Sequence, residues 1–119
     1  MSQRHTFFMM LRSAADWLKL GRAERQRFLA EQVRPVFARY PAVTMRFYDA
    51  EAFSGRCTDI AVFETTDLKA YTFLIDGLRD TPFFSHPYFE VLDIVPAVEE
   101  GYVAYDRAHG VSADGAGGD

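Results

Sequence analysis

The most constraining feature of this chain is a set of strand-length segments that carry apolar side chains on both faces. Thr6-Phe7-Phe8-Met9-Met10-Leu11 is a short, almost unbroken apolar run that Arg12 ends. Cys57 to Thr65 contains Ile60-Ala61-Val62-Phe63, and Phe89 to Val95 contains Leu92, Ile94 and Val95. Only Val43 to Tyr48 alternates cleanly, with Val43, Met45 and Phe47 on one side and Thr44, Arg46 and Tyr48 on the other. An antiparallel sheet with one wet face needs apolar residues at alternate positions only. Three of these four segments exceed that need, so their sheet has to be covered twice.

Two helical regions lie between the strands. Ser13 is the expected cap of a first segment, Ala14 to Leu20, which Gly21 interrupts. From Arg22 onward, Phe28, Leu29, Val33, Val36, Phe37 and Tyr40 keep helical spacing. Pro35 falls inside that run and should remove a backbone hydrogen bond and bend it. Asp67 caps a second helix that carries Leu68, Tyr71, Ile75 and Leu78, weakened toward its end by Gly77. Thr81-Pro82 starts one more helical turn, and Pro87 stops it. Val98 to Tyr105 reads as an arm.

The predicted order is β-α-β-β-α-β. That is a split, ferredoxin-like α+β fold: a four-stranded antiparallel sheet with its helices on one face. No helix is left to cover the other face. A second copy, sheet against sheet, is the simplest cover, so a homodimer is expected. A single domain over residues 1–109 and a flexible tail over 110–119 complete the expected organisation.

Composition narrows the function. Hydrophobic residues make up 49% of the chain and aromatics 15%, more than one small monomer hides, which points to an interface or a cavity. The net charge of -4 argues against nucleic-acid binding. Arg22, Arg25, Arg27, Arg34 and Arg39 share one helical region, but Glu24 and Glu31 dilute them into a solvated face. The lone Cys57 has no disulfide or metal partner cysteine and reads as a packing residue. The N-terminal apolar run is too short for a signal peptide or a membrane span, so a cytoplasmic protein without membrane contact is expected. No phosphate loop, nucleophile elbow or metal-binding histidine pair occurs, and neither a metal nor a cofactor is expected.

Four stretches give the chain a family likeness. They are Trp17-Leu18 with Arg22-Ala23-Glu24-Arg25, Val33-Arg34-Pro35-Val36-Phe37 with Tyr40-Pro41, Arg46-Phe47-Tyr48-Asp49, and Tyr88-Phe89-Glu90-Val91-Leu92-Asp93-Ile94-Val95-Pro96. Through them, residues 6–106 resemble the darcynin family, a bacterial group within the dimeric α/β-barrel superfamily. Gly21 stands where that pattern would have a serine cap. The darcynin resemblance implies no agreed activity. The superfamily includes cofactor-free monooxygenases of electron-rich aromatics, polyketide cyclases and haem proteins. It implies a pocket between each sheet and its own helices.

Candidate chemistry follows from a few side chains. His86, beside Tyr88 on the loop before the last strand, is a candidate general base or, in a haem reading, an axial ligand. Otherwise it satisfies a helix end. Arg46 and Tyr48 share a strand face and could hold an oxyanion; alternatively Arg46 pairs with Asp59, Glu64 or Asp93. Asp93, among apolar neighbours, would contact substrate or form that ion pair, and Glu90 should lie on the opposite face from it. Trp17 and Phe84 would pack the substrate, with Tyr88 beside them, or else belong to the core. His5 reads as a solvated terminal residue and His109 as incidental. A cofactor-independent cyclase or monooxygenase acting on an aromatic or polyketide-like metabolite is one expectation. A dimer that binds a hydrophobic ligand without turning it over is the other.

Overall fold

A computed structural model describes residues 3–111 of the chain. Most of the tail expected at 110–119 therefore lies outside the described residues. The chain order is β1 (His5–Ser13), α1 (Ala15–Lys19), α2 (Arg22–Phe28), a π-helical turn (Leu29–Val33) and α3 (Arg34–Ala38). It continues through β2 (Val43–Asp49), β3 (Asp59–Thr65), α4 (Leu68–Arg79), α5 (Pro82–Ser85), β4 (Phe89–Ala97) and α6 (Tyr102–Ala108).

All pairings are antiparallel and the sheet order is β2-β3-β1-β4. This is the expected ferredoxin-like arrangement, with β1 and β3 central and β2 and β4 at the edges. The register fixes which face each residue occupies. Met9 pairs with Ala61, Phe7 with Phe63, and Phe63 with Met45. That row of odd-numbered residues faces the helices. The core joins Met9, Leu11, Ala61 and Phe63 of the sheet to Val33, Val36, Tyr71, Leu74 and Leu78 of the helical layer. Met9, Leu11 and Leu74 are fully buried, each adding about 1.5–3 kcal/mol of apolar burial.

The other face stays open in the single chain. Across its centre runs the row Arg46, Val62, Phe8, Val95, and beside it the row Tyr48, Ile60, Met10, Asp93. Phe8, Tyr48 and Val95 are each at least 40% exposed.

Several local features differ from the sequence expectation. Ser13 does not cap a helix; it ends β1, its N–H donating to Thr58 Oγ1 at 2.8 Å, and Ala14 precedes α1 without a side-chain cap. Gly21 lacks a capping oxygen, but Glu24 reaches back to its N–H at 3.1 Å, so half of a capping box survives. Pro35 is accommodated by a π-turn rather than by a simple bend. The Arg34 N–H reaches back to the Leu29 carbonyl, and α3 restarts with proline in its first turn, where a missing N–H costs little. The predicted arm contains a helix, α6.

The last strand departs from simple alternation. Its register against β1 shifts between Met10 and Leu11, leaving Glu90 opposite Arg12 and Asp93 opposite Met10. Both partners are even-numbered residues of β1, so the bulge puts Glu90 and Asp93 on the same face.

Asp67 and Thr81 cap α4 and α5 as expected, accepting from Ala70 and Phe83 N–H groups. Gly77 does more than loosen α4. A Cβ there would lie 2.8 Å from Val36 Cγ1, because α4 and α3 touch at that point. Val36 is buried and β-branched, so it has little freedom to move aside. Gly77→Ala is therefore expected to destabilise by about 1 kcal/mol in urea unfolding, overpacking outweighing the helix-propensity gain. A more stable variant would show that the two helices can separate at no cost.

Candidate functional site: an aromatic cavity between sheet and helices

Between the helix-facing side of the sheet and the helical layer lies a cavity of about 560 Å³. That is within the usual range for sites that enclose a small molecule. Its floor is built by alternate strand residues: Met9 and Leu11, Met45 and Phe47, Ala61 and Phe63, and Phe89. Its roof comes from Trp17 of α1, Leu29 and Val33 of the π-turn, Phe37 of α3, Leu78 of α4, and Phe83 and Phe84 of α5. The short, broken helices make the roof. A continuous helix from Ala14 to Tyr40 could not curve over the sheet in this way, and π-turns often mark functional sites.

Seven aromatic rings line the cavity. Phe83 and Phe89 stack with centroids 4.6 Å apart, Trp17 meets Phe89 at 5.1 Å, and Phe37 stacks over Phe63 at 6.3 Å. Arg25 fixes one side of the wall. Its guanidinium donates to the carbonyls of Trp17 at 3.2 Å and Leu18 at 3.0 Å and lies over the Trp17 ring.

The cavity is not wholly apolar. Asp49 and Asp59 sit directly opposite each other in the β2–β3 register, on the cavity side, with Glu51 close by. Burial pushes the Asp59 carboxyl up from the ordinary carboxylate range. The Thr58 hydroxyl, donating to Asp59 Oδ2 at 2.7 Å, opposes that rise, and the negative charges of Asp49 and Glu51 add to it.

The folded state holds the Asp59 proton more tightly than the unfolded chain does. Its destabilising effect is absent below the unfolded pKa and becomes complete as pH rises through the folded value. Asp59→Asn should thus raise the melting temperature at about pH 7.5, and the gain should shrink toward about pH 4.5, nearer the ordinary aspartate value. A gain independent of pH would contradict a charged, half-buried Asp59.

The residues singled out from the sequence are divided among three places. Trp17 and Phe84 line the cavity. Tyr88 lies just behind it, packed against Trp17 at 5.4 Å and Phe28 at 5.1 Å. His86 is outside, in a surface groove with Arg12 and Glu90. Its Nε2 meets Asp16 Oδ2 at 2.9 Å and its ring stacks on Tyr88, so it satisfies a carboxylate rather than backbone carbonyls. That hydrogen bond, and then Lys19, lower the Asp16 pKa. Arg46, Tyr48 and Asp93 are on the open face of the sheet. The Arg46–Asp93 pair does not form within the chain, because β2 and β4 are opposite edges of the sheet. Asp59 is on the wrong face to pair with Arg46, and among the described residues Arg46 makes no ion pair.

Haem would need an axial donor. The cavity lining holds no imidazole, thiol or phenol, and His86 is turned away to Asp16. The thioethers of Met9 and Met45 are the only soft donors in the lining, and methionine holds haem iron beside a histidine that this lining lacks, so the donor set does not fit that group. Cys57 is buried, as expected of a packing residue. No helix among the described residues is long and apolar enough to cross a membrane.

A family model described as "Darcynin, domain of unknown function" matches residues 2–115. The chain belongs to the darcynin family. Darcynin 1 of Acinetobacter baumannii is 51% identical over 89 residues, covering 75% of this chain and 99% of that protein. The darcynin of Chromobacterium violaceum is 57% identical over 74 residues, 62% of this chain and 94% of the relative. A darcynin homolog of Streptomyces avermitilis is 45% identical over 98 residues, 82% of this chain and 80% of the relative. Among solved structures, a mutant chlorite dismutase from Candidatus Nitrospira defluvii superposes with a TM-score of 0.70 at 16% identity. The match covers 88% of this darcynin chain and 44% of the solved one. The same enzyme in complex with imidazole gives 0.69, again at 16% identity, covering 87% of this chain and 44% of that one. The chain thus spans less than half the length of these solved chains, and at such identity the likeness concerns the fold alone.

Proposed function

We propose that this darcynin is a small-molecule-binding protein that works as a sheet-to-sheet homodimer. Its ligand is a compact, largely apolar, aromatic-sized compound held between the sheet and its own helices. The observation that carries the reading is the cavity of about 560 Å³ walled by seven aromatic rings. Cavities of this size and lining bury most of a small ligand, and offset or edge-on ring contacts would orient it. The dimer rests on the apolar rows left open on the other face of the sheet.

Binding rather than turnover is the favoured reading. A cyclase or monooxygenase built on His86, Arg46 and Tyr48 would need those groups around one ligand. They stand in a surface groove and on the open sheet face instead.

The chain has one tryptophan, Trp17, in the cavity wall, so binding has a built-in reporter. A titration with 1-naphthol should quench Trp17 emission saturably with one ligand per chain, while sedimentation velocity shows a dimer. An unresponsive Trp17 would remove the ligand site, and a monomer at micromolar concentration would remove the dimer.

A further inference from the structure

We infer that the cavity selects a ligand that carries a positively charged nitrogen on its apolar body, an aralkyl ammonium rather than an alcohol or a carboxylate. This rests on the cavity reading above and specifies the ligand class. The cavity itself is the site, and two separate features set its charge preference.

The first feature is the wall. Aromatic ring faces are negative and attract cations, most strongly where water is excluded, and the cavity is lined by such rings. The second is the carboxylates at the β2–β3 end. Asp49 and Asp59 are directly opposed in register on the cavity side, a like-charge pair whose repulsion a cation between them would relieve. Among the described residues, none of Asp49, Glu51 and Asp59 has an ion-pair partner. The two guanidiniums of the lining do not supply one. Arg25 is engaged with the Trp17 and Leu18 carbonyls, and Arg34 is exposed on α3. The charges that act on Asp59 are those of Asp49 and Glu51, both negative.

An ammonium fits better than a metal ion. Among the described residues, no three carboxylate, histidine or cysteine groups converge closely enough to hold a metal. A single positive charge next to a ring needs fewer ligands than that, and its apolar body would fill the remaining cavity.

The test uses three probes that share one phenethyl body, 2-phenylethylamine, 2-phenylethanol and 3-phenylpropanoate, titrated into the full chain at neutral pH and read by Trp17 emission. The amine should bind at least tenfold more tightly than the alcohol, and the carboxylate more weakly than either. In the Asp49→Asn/Asp59→Asn double variant, the ratio of amine to alcohol affinity should fall below about threefold. Because both affinities are measured on one protein, partial loss of folded material cancels from the ratio. If the alcohol binds as tightly as the amine, or the carboxylate binds tightest, the charge inference is overturned while the cavity reading stands. A preference for amine that persists in the double variant would overturn the role of the two aspartates. If none of the three binds, the cavity reading fails along with it.

Discussion

Phe89→Ala should lose about 3–5 kcal/mol of folding stability, the range for truncating a buried aromatic. Phe89 is 4% exposed at the start of β4 and is the ring on which the aromatic cluster converges. It stacks on Phe83 at 4.6 Å, meets Trp17 at 5.1 Å and takes the edge of Phe47 at 6.0 Å. Truncation removes the transfer energy of the ring and its contacts with three neighbours from different elements. Relaxation is restricted, because α1, α5 and β2 would all have to move inward onto an existing cavity. The whole stability of a domain this size is about 5–15 kcal/mol, so the variant should sit close to unfolding at room temperature. Urea titration followed by circular dichroism measures this. A loss below about 1 kcal/mol would mean that the ring cluster contributes little to holding β4 against the helical layer.

Phe8→Glu should convert the proposed dimer into a monomer without unfolding the chain. Phe8 lies at the centre of the open face, flanked in register by Val62 and Val95. In the single chain it is 40% exposed, so a glutamate there can remain hydrated and the fold survives. In a sheet-to-sheet dimer the same position is buried, and two-fold symmetry buries the charge twice. At no less than about 2 kcal/mol for each unpaired charge, the dissociation constant should rise roughly a thousandfold or more. Sedimentation velocity with circular dichroism separates loss of assembly from loss of fold. A variant that stays dimeric would place the interface elsewhere on the molecule.

Much of the fold was legible because the strands obey a two-residue period and the helices carry explicit signals. The alternation from Val43 to Tyr48 assigned both faces of β2 correctly, and Asp67 and Thr81 cap where their residue types predict. The family likeness, read from the stretches around Trp17, Pro35, Arg46 and Phe89, agrees with the match over residues 2–115. What escaped was whatever depends on one added residue. The bulge in β4 inverts the face of everything beyond it, which is why Glu90 and Asp93 share a side. The π-turn before Pro35 likewise adds one residue to a helical turn, a change that spacing alone cannot show.

The cavity lining was partly legible. Trp17 and Phe84, singled out as aromatics on interrupted helical segments, do line the cavity. His86, Arg46 and Tyr48 drew attention as reactive side-chain types, but reactivity carries no information on which face or loop points into a cavity. The missed polar groups did leave a signal. Asp49 continues the Val43, Met45, Phe47 series, and Asp59 begins the Ala61, Phe63 series, so each puts a carboxylate on an otherwise apolar face. The interruption of an apolar alternation by acid, at two positions that turn out to pair, was a better pointer to the cavity than any histidine.

The most direct test of a ligand site between sheet and helices is a map of amide and indole chemical shifts in the ¹⁵N-labelled protein as 2-phenylethylamine is added. Shifts should concentrate on the Trp17 indole and on the backbone of Leu29, Asp59, Phe63 and Phe89. Arg46, Tyr48 and His86 should be left unmoved. Shifts confined to the open sheet face or to the groove at His86, or no shifts at millimolar probe, would contradict it.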